Sequence, residues 1–280
     1  MSASATAGQP GARTERRGAE AINHHREGSG PPLVLLHGVG ASWQIWGPVI
    51  GLLSSEFDVI ACDSPGFGGS PQLAADIAPT VPAYAERFAA FFAELGLQRP
   101  HVSGNSMGGA IGLELARRGA VASVSAISPA GFWTPAERRF CQASLGSLAR
   151  CPRALRPALL AAAGTSAGRT ALFWQTFGSP SRMPAEEPAR ILRNAWASPA
   201  LGPALAAFDD YAFADPHELD GAIGVTIAWG VQDRLLPYRT QAPRARALLP
   251  RARHIALGAG HVPFYDDPPA VAEAIRAGAV

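Results

Sequence analysis

The chain has 280 residues, of which 48% are hydrophobic and 16% charged, enough for one large α/β domain or two small ones around a sizeable core. A formal net charge of +2 leaves no electrostatic footprint for nucleic acid. The longest Ala/Leu-rich stretch, Ala154 to Ala163, is short and broken by Pro157, so it cannot span a bilayer.

All 24 basic residues are Arg. Beside so much Ala, Pro and Gly, the lack of Lys reads as a codon-composition bias, not as a designed basic surface. Cys62, Cys141 and Cys151 form no C-x-x-C pair. An odd count does not suggest a disulfide framework, so all three are expected as reduced thiols in a cytoplasmic protein. Cys62 ends an apolar run and suits a small core position.

In chain order, the first stretch, MSASATAGQPGARTERRG, lacks the apolar segment of a signal peptide. Its composition can bury little surface, which predicts a disordered tail over 1–19. Short apolar runs then follow at Leu33–Leu36, which is fully apolar, and at Phe57–Cys62, His101–Ser103, Val121–Ile127, Ile223–Trp229 and His254–Leu257. Runs of this kind fit parallel strands covered on both faces. Helix-like periodicity falls between them. Val81–Leu95 sets Tyr84, Phe88, Phe91, Phe92 and Leu95 three and four apart, and Met107–Arg118 does the same with Ile111 and Leu115. Tyr238–Leu249 and Pro269–Ala277 are two more helical segments. The alternation predicts an α/β fold, a mostly parallel central sheet flanked by helices.

One stretch breaks the alternation. Residues 131–215 contain no strand-like run and are rich in Ala, Leu, Arg and aromatics, cut by prolines. They read as a helical cap inserted into a core made of 20–130 and 216–280.

The glycines around Ser106 carry the chemistry. In GNSMG, Gly104 and Gly108 flank Ser106 between a strand-like run and a helix-like run. A strand turning sharply into a helix strains the corner residue, and neighbours two positions away must lack a Cβ. This is the G-x-S-x-G nucleophile elbow, for which the α/β-hydrolases are the type case. The N–H of Met107, at the start of the helix, can meet a developing oxyanion.

A serine nucleophile needs a base, and the base a carboxylate. His261, in LGAGHVPFYDDPPAV after the last strand, sits on a loop at the sheet edge that carries Ser106. His24 and His25 lie near the start expected to be flexible, His101 and His254 on strands, and His217 near the far end of the cap beside Pro216, a weaker candidate base. Asp233, in WGVQDRLLP, occupies another loop at the Ser106 edge; SPAGFW offers no acid there. The chain order is then Ser106, Asp233, His261. In LLHGVGAS, glycines let the backbone approach a substrate, so Val39 N–H is the second oxyanion donor and His37 props the loop. DSPGFGGS lacks the pattern of a phosphate-binding loop and reads as a turn with Asp63 bonding the backbone.

Taken together, LLHGVGASWQIW, DSPGFGGS, GNSMGGAIGLELARR, WGVQDRLLP and GAGHVPFYDDPPAV resemble the α/β-hydrolase superfamily, in its capped, serine esterase-like branch. The resemblance implies the α/β-hydrolase fold and an enzyme without metal or organic cofactor. It covers esterases, lipases, thioesterases, perhydrolases and C–C bond hydrolases. Ser at position 106 disfavours the branch with an aspartate nucleophile. The elbow is similar to that of C–C hydrolases acting on ring-cleavage-type diketones, but HGVGAS lacks their longer Gly-Pro-Gly loop. The expected function is hydrolysis of carboxylic esters with apolar acyl or aromatic groups, Trp43, Phe132 and Trp133 lining the substrate pocket. The alternatives are C–C cleavage, with Arg190 or Arg193 holding a carboxylate, and ligand binding on a hydrolase scaffold. The expected partner is a small ester-like molecule, with neither nucleic acid nor membrane; the oligomeric state stays open.

Overall fold

A computed structural model describes residues 13–15, 21–215, 219 and 223–279. Its strands are β1 (Arg13–Glu15), β2 (His24–Glu27), β3 (Pro32–Leu36), β4 (Asp58–Cys62), β5 (His101–Asn105), β6 (Ser123–Ile127), β7 (Gly224–Gly230) and β8 (Arg253–Leu257). Among the described residues they form one sheet in the order β1-β2-β4-β3-β5-β6-β7-β8. From β4 to β8 every neighbouring pair is parallel. The β1-β2 and β2-β4 pairs are antiparallel.

The six apolar runs became β3 to β8; β3 to β7 lie inside the sheet, and β8 closes its parallel edge. All five residues of β6 are buried, whereas edge strand β8 buries only its last. On one face, α2 (Val81–Glu94) and α3 (Met107–Arg117) cover Val34, Ile60, Val102 and Val124. On the other, α1 (Gly47–Leu53) and α10 (Pro268–Gly278) cover Leu33, Leu35, Val59 and Ala61. Cys62, Cys141 and Cys151 are all unpaired.

The expectation for His24 and His25 needs correction. They lie buried in β2, not in a flexible start. The sequence His-His-Arg-Glu has no apolar run, so only its pairing with β1 and β4 marks it as a strand. His25 stacks on Trp43 with ring centroids 4.6 Å apart. Within the stretch read as a tail, 13–15 form β1; the rest of 1–19 lies outside the described residues.

Between β6 and β7 the described chain is helical, without a strand. It holds α4 (Pro135–Ala149), α5 (Arg156–Ala163), α6 (Ser166–Phe173), α7 (Glu186–Ala197) and α8 (Leu201–Ala207), joined by short 3-10 turns. Thr134 opens α4 with a capping box, its side chain accepting from the Glu137 N–H while Glu137 reaches back to the Thr134 N–H at 2.7 Å. The far boundary expected at 215 falls beside residues outside the described set, and His217 is one of them. After β7, α9 (Tyr238–Leu248) completes the helices.

Candidate active site

β5 ends at Asn105 and α3 begins at Met107, which leaves Ser106 alone at the corner with φ 57° and ψ −116°. Such a conformation is costly for a residue with a Cβ and persists only where neighbours fix it. Ser106 N–H donates to the Ile127 carbonyl at 2.9 Å, and its own carbonyl accepts from Ala110 and Ala130 at 3.0 and 3.1 Å. The flanking glycines are a packing requirement. A Cβ at Gly104 would stand 2.1 Å from the Gly108 oxygen, and one at Gly108 would stand 2.1 Å from the Leu36 oxygen. Strand, helix and the neighbouring strand β3 therefore touch through bare backbone. The first N–H groups of α3, Met107 included, have no partner within the helix.

Asp233 and His261 meet from the loops after β7 and β8. His261 Nδ1 donates to Asp233 Oδ2 at 2.8 Å, and both residues are buried. Asp233 Oδ1 accepts from the backbone N–H of Leu235 and Leu236 at 3.0 and 2.8 Å. With three donors, the carboxylate is held as an acceptor, which keeps the His261 proton on Nδ1 and leaves Nε2 as the basic nitrogen.

Two supports had no sequence signal beyond their polarity. Asn105, buried beside Ser106, donates from Nδ2 to the carbonyls of His261 at 2.9 Å and Ile127 at 3.1 Å. Asp266 accepts from the N–H groups of Gly178, Ser179 and Gly260, at 2.8, 2.8 and 2.9 Å. It thereby ties the histidine loop to the helical insertion.

The loop after β3 packs directly on Ser106: a Cβ on Gly38 would lie 3.2 Å from Ser106 Cβ. His37 holds this loop. The Ser64 N–H can only donate, so His37 Nε2 accepts it, at 2.9 Å, and the Nδ1–H donates to the Gly38 carbonyl at 2.7 Å. Burial keeps the His37 pKa below its ordinary 6.5, against a partial upward pull from Asp63. A proton on Nε2 would face the Ser64 N–H. The unfolded chain takes that proton below about pH 6.5, and the folded chain resists it. The contribution of His37 to stability is therefore complete above pH 6.5 and is lost as pH falls through the folded pKa. Thermal melts across this range should show a steeper loss of stability on acidification in the wild type than in His37→Gln; equal slopes would contradict the assignment.

Asp63, in DSPGFGGS, bonds the backbone as expected and also joins three loops. It accepts from Trp43 N–H at 2.7 Å, Gly69 N–H at 2.8 Å and Asn23 Nδ2 at 2.7 Å. Asp63→Ala would orphan three donors, at about 1 kcal/mol or more each. A loss of roughly 3 kcal/mol, or about 10 °C in Tm, is expected in urea and thermal unfolding. A loss below about 1 kcal/mol would mean that water replaces the carboxylate.

Ser106, His261, Val39 and Asn105 share one cavity of about 710 Å³. Its remaining walls come largely from the insertion, among them Leu148, Leu159, Phe173, Phe177 and Ile191. Trp43, Phe132 and Trp133 are not among its lining residues. Trp43 stacks on His25 at the antiparallel edge. Phe132 packs on Phe213 and Trp229, and Trp133 Nε1 donates to the Tyr211 carbonyl at 3.0 Å. The chain after β6 turns these two rings inward, beneath the insertion. Among the described residues, no group of three or more His, Cys, Asp or Glu could hold a metal ion, and no helix is long and apolar enough to cross a membrane.

A family model described as the alpha/beta hydrolase family matches residues 33–274. An uncharacterized protein of Mycobacterium tuberculosis is 32% identical over 255 residues, 86% of this chain and 73% of that one. A pimeloyl-[acyl-carrier protein] methyl ester esterase of Aeromonas hydrophila is 39% identical over 95 residues, 34% of this chain and 35% of that one. Among solved structures, a membrane phospholipase A described as a bacterial virulence factor aligns with TM-score 0.71 at 28% identity, over 91% of this chain and 81% of that one. Carboxylesterase CesB of Bacillus subtilis aligns with TM-score 0.71 at 23% identity, over 96% and 91%, a likeness of fold alone.

Proposed function

Since this chain belongs to the alpha/beta hydrolase family, we propose that it is a serine hydrolase cleaving carboxylic esters of apolar acyl or aromatic substrates. The observation that carries this reading is the convergence in one mostly apolar cavity of a strained Ser106 and a His261 whose other nitrogen is bonded to buried Asp233. Residues 131–215 act as the cap, and 20–130 with 216–280 as the core.

His261 Nε2 takes the Ser106 proton as Oγ attacks the ester carbonyl. Val39 and Met107 amides receive the oxyanion; one such donor contributes about 3 kcal/mol to the transition state. Collapse breaks the ester bond, and the leaving alkoxide takes the proton from His261. Water, deprotonated by His261, then attacks the acyl-enzyme and frees Ser106. Asp233 keeps the imidazole in the required tautomer throughout.

The named esterase among the relatives and the apolar walls support ester cleavage. The arginines that would favour C–C cleavage lie elsewhere. Arg190 bonds Glu187, the Gln44 carbonyl and Tyr265, and neither it nor Arg193 lines the cavity. The test is hydrolysis of p-nitrophenyl esters from acetyl to dodecanoyl, with Ser106→Ala as the blank. Turnover confined to the unmutated protein, rising with acyl length, is expected. A folded protein with no turnover above the blank would reject ester hydrolysis.

A further inference from the structure

Six large hydrophobic side chains are more than a third exposed among the described residues. Three of them, Phe140, Leu155 and Trp174, line the Ser106 cavity while remaining 45%, 55% and 47% exposed. They belong to its wall and to the outer surface at once, so they form its rim. Apolar side chains gathered around an opening mark a contact surface.

Each of the three has an arginine within two positions in the chain or in contact with it. Exposed Arg139 precedes Phe140 on α4. Exposed Arg153 shares the 3-10 turn Arg153–Leu155 with Leu155. Arg234 lies with its Cζ 5.9 Å from the Trp174 ring centroid and donates from Nη1 to the Trp174 carbonyl at 2.8 Å. From Arg138 to Arg182 the sequence holds seven Arg and no Asp or Glu. Arg138 is paired with Asp209 at 3.4 Å; the other six are a local excess that the near-neutral total charge of the chain conceals.

A lipid surface matches both halves of the pattern. Apolar side chains can enter the acyl boundary, while arginines keep their heads among the phosphates. Negative headgroups attract a basic rim without requiring a shaped counterpart. We propose that the cavity mouth docks on an anionic lipid surface, and that the acyl esters it hydrolyses enter from that surface. The second clause rests on the ester-hydrolase reading; the first does not. Surface docking needs no membrane-spanning helix, and it departs from the membrane-free partner expected from composition.

Co-sedimentation with vesicles tests the docking without turnover, using Ser106→Ala protein. Binding is expected to vesicles of phosphatidylcholine and phosphatidylglycerol in equal parts, and not to phosphatidylcholine alone. Adding Arg139→Glu and Arg153→Glu should weaken it at least about 10-fold, and Trp174→Ser should weaken it as well. In the Ser106 background, the two arginine reversals should leave hydrolysis of soluble p-nitrophenyl acetate unchanged, which shows that they fold. No vesicle binding, or equal binding to both compositions, would overturn the proposal. Self-association or capture of an acidic protein in place of vesicle binding would also overturn it. Vesicle binding without any ester turnover would keep the docking and remove the esterase reading.

Discussion

Ser106→Ala is expected to lower kcat/KM for a p-nitrophenyl ester by at least about 10⁴-fold, with little change in Tm. Stability should hold because the Ser106 side chain makes no capping bond to α3. The strained corner is carried by backbone bonds to Ile127, Ala110 and Ala130, and alanine keeps all three. Activity should vanish because, among the described residues, no other hydroxyl combines the strained corner position with a place in the cavity that His261 lines. Ser144, Ser147 and Thr176 also line the cavity, but the two serines belong to α4 in the insertion, and the Thr176 hydroxyl, after α6, donates to the Phe173 carbonyl. Residual turnover within 10-fold of the wild type, about 1.4 kcal/mol of barrier, would put the nucleophile elsewhere.

Asp233→Asn is expected to lower kcat by about 10⁴-fold at nearly constant KM. The substitution keeps the shape, so the reason is the direction of the hydrogen bonds. Leu235 and Leu236 both donate to Oδ1. An asparagine must give its oxygen to those donors, which turns its NH₂ toward His261 Nδ1. His261 would then accept on Nδ1 and carry its proton on Nε2, where a base must be empty. A pH–rate series separates this from a folding defect. Lost tautomer control leaves a folded protein that binds substrate and turns over slowly throughout, whereas general destabilisation would lower Tm and raise KM. A decrease below about 10-fold would show that another group orients the histidine.

Much of the scaffold was legible because its signals are local. Runs such as Leu33–Leu36 are apolar throughout, and Ser123–Ile127 carries only small or apolar side chains, as a strand covered on both faces requires. Gly104 and Gly108 were readable for a steric reason that the structure makes concrete, with 2.1 Å separating a notional Cβ from backbone oxygen at each. His24–Glu27 was not legible as a strand, since its residues are polar and it is placed by backbone pairing with β1 and β4. The pocket aromatics were misplaced for a related reason. An aromatic after a strand end can turn toward a cavity or into the core, and residue type does not distinguish the two. Trp133 turned to the Tyr211 carbonyl and Trp43 to the His25 ring.

The sequence by itself determined the alternation of strands and helices and the corner at Ser106. It also named the loop residues Asp233 and His261. Each is specified by a short pattern, an apolar run, a glycine spacing or a polar residue after a strand. Only the tertiary structure decided which walls enclose Ser106 and how the histidine loop is held. Asn105 lies 156 positions from the His261 carbonyl it bonds, and Asp266 lies 88 from the Gly178 N–H. Contacts of that span leave no periodic mark in the chain. They exist only once β5, β7 and β8 stand in one sheet and the insertion has folded over their ends.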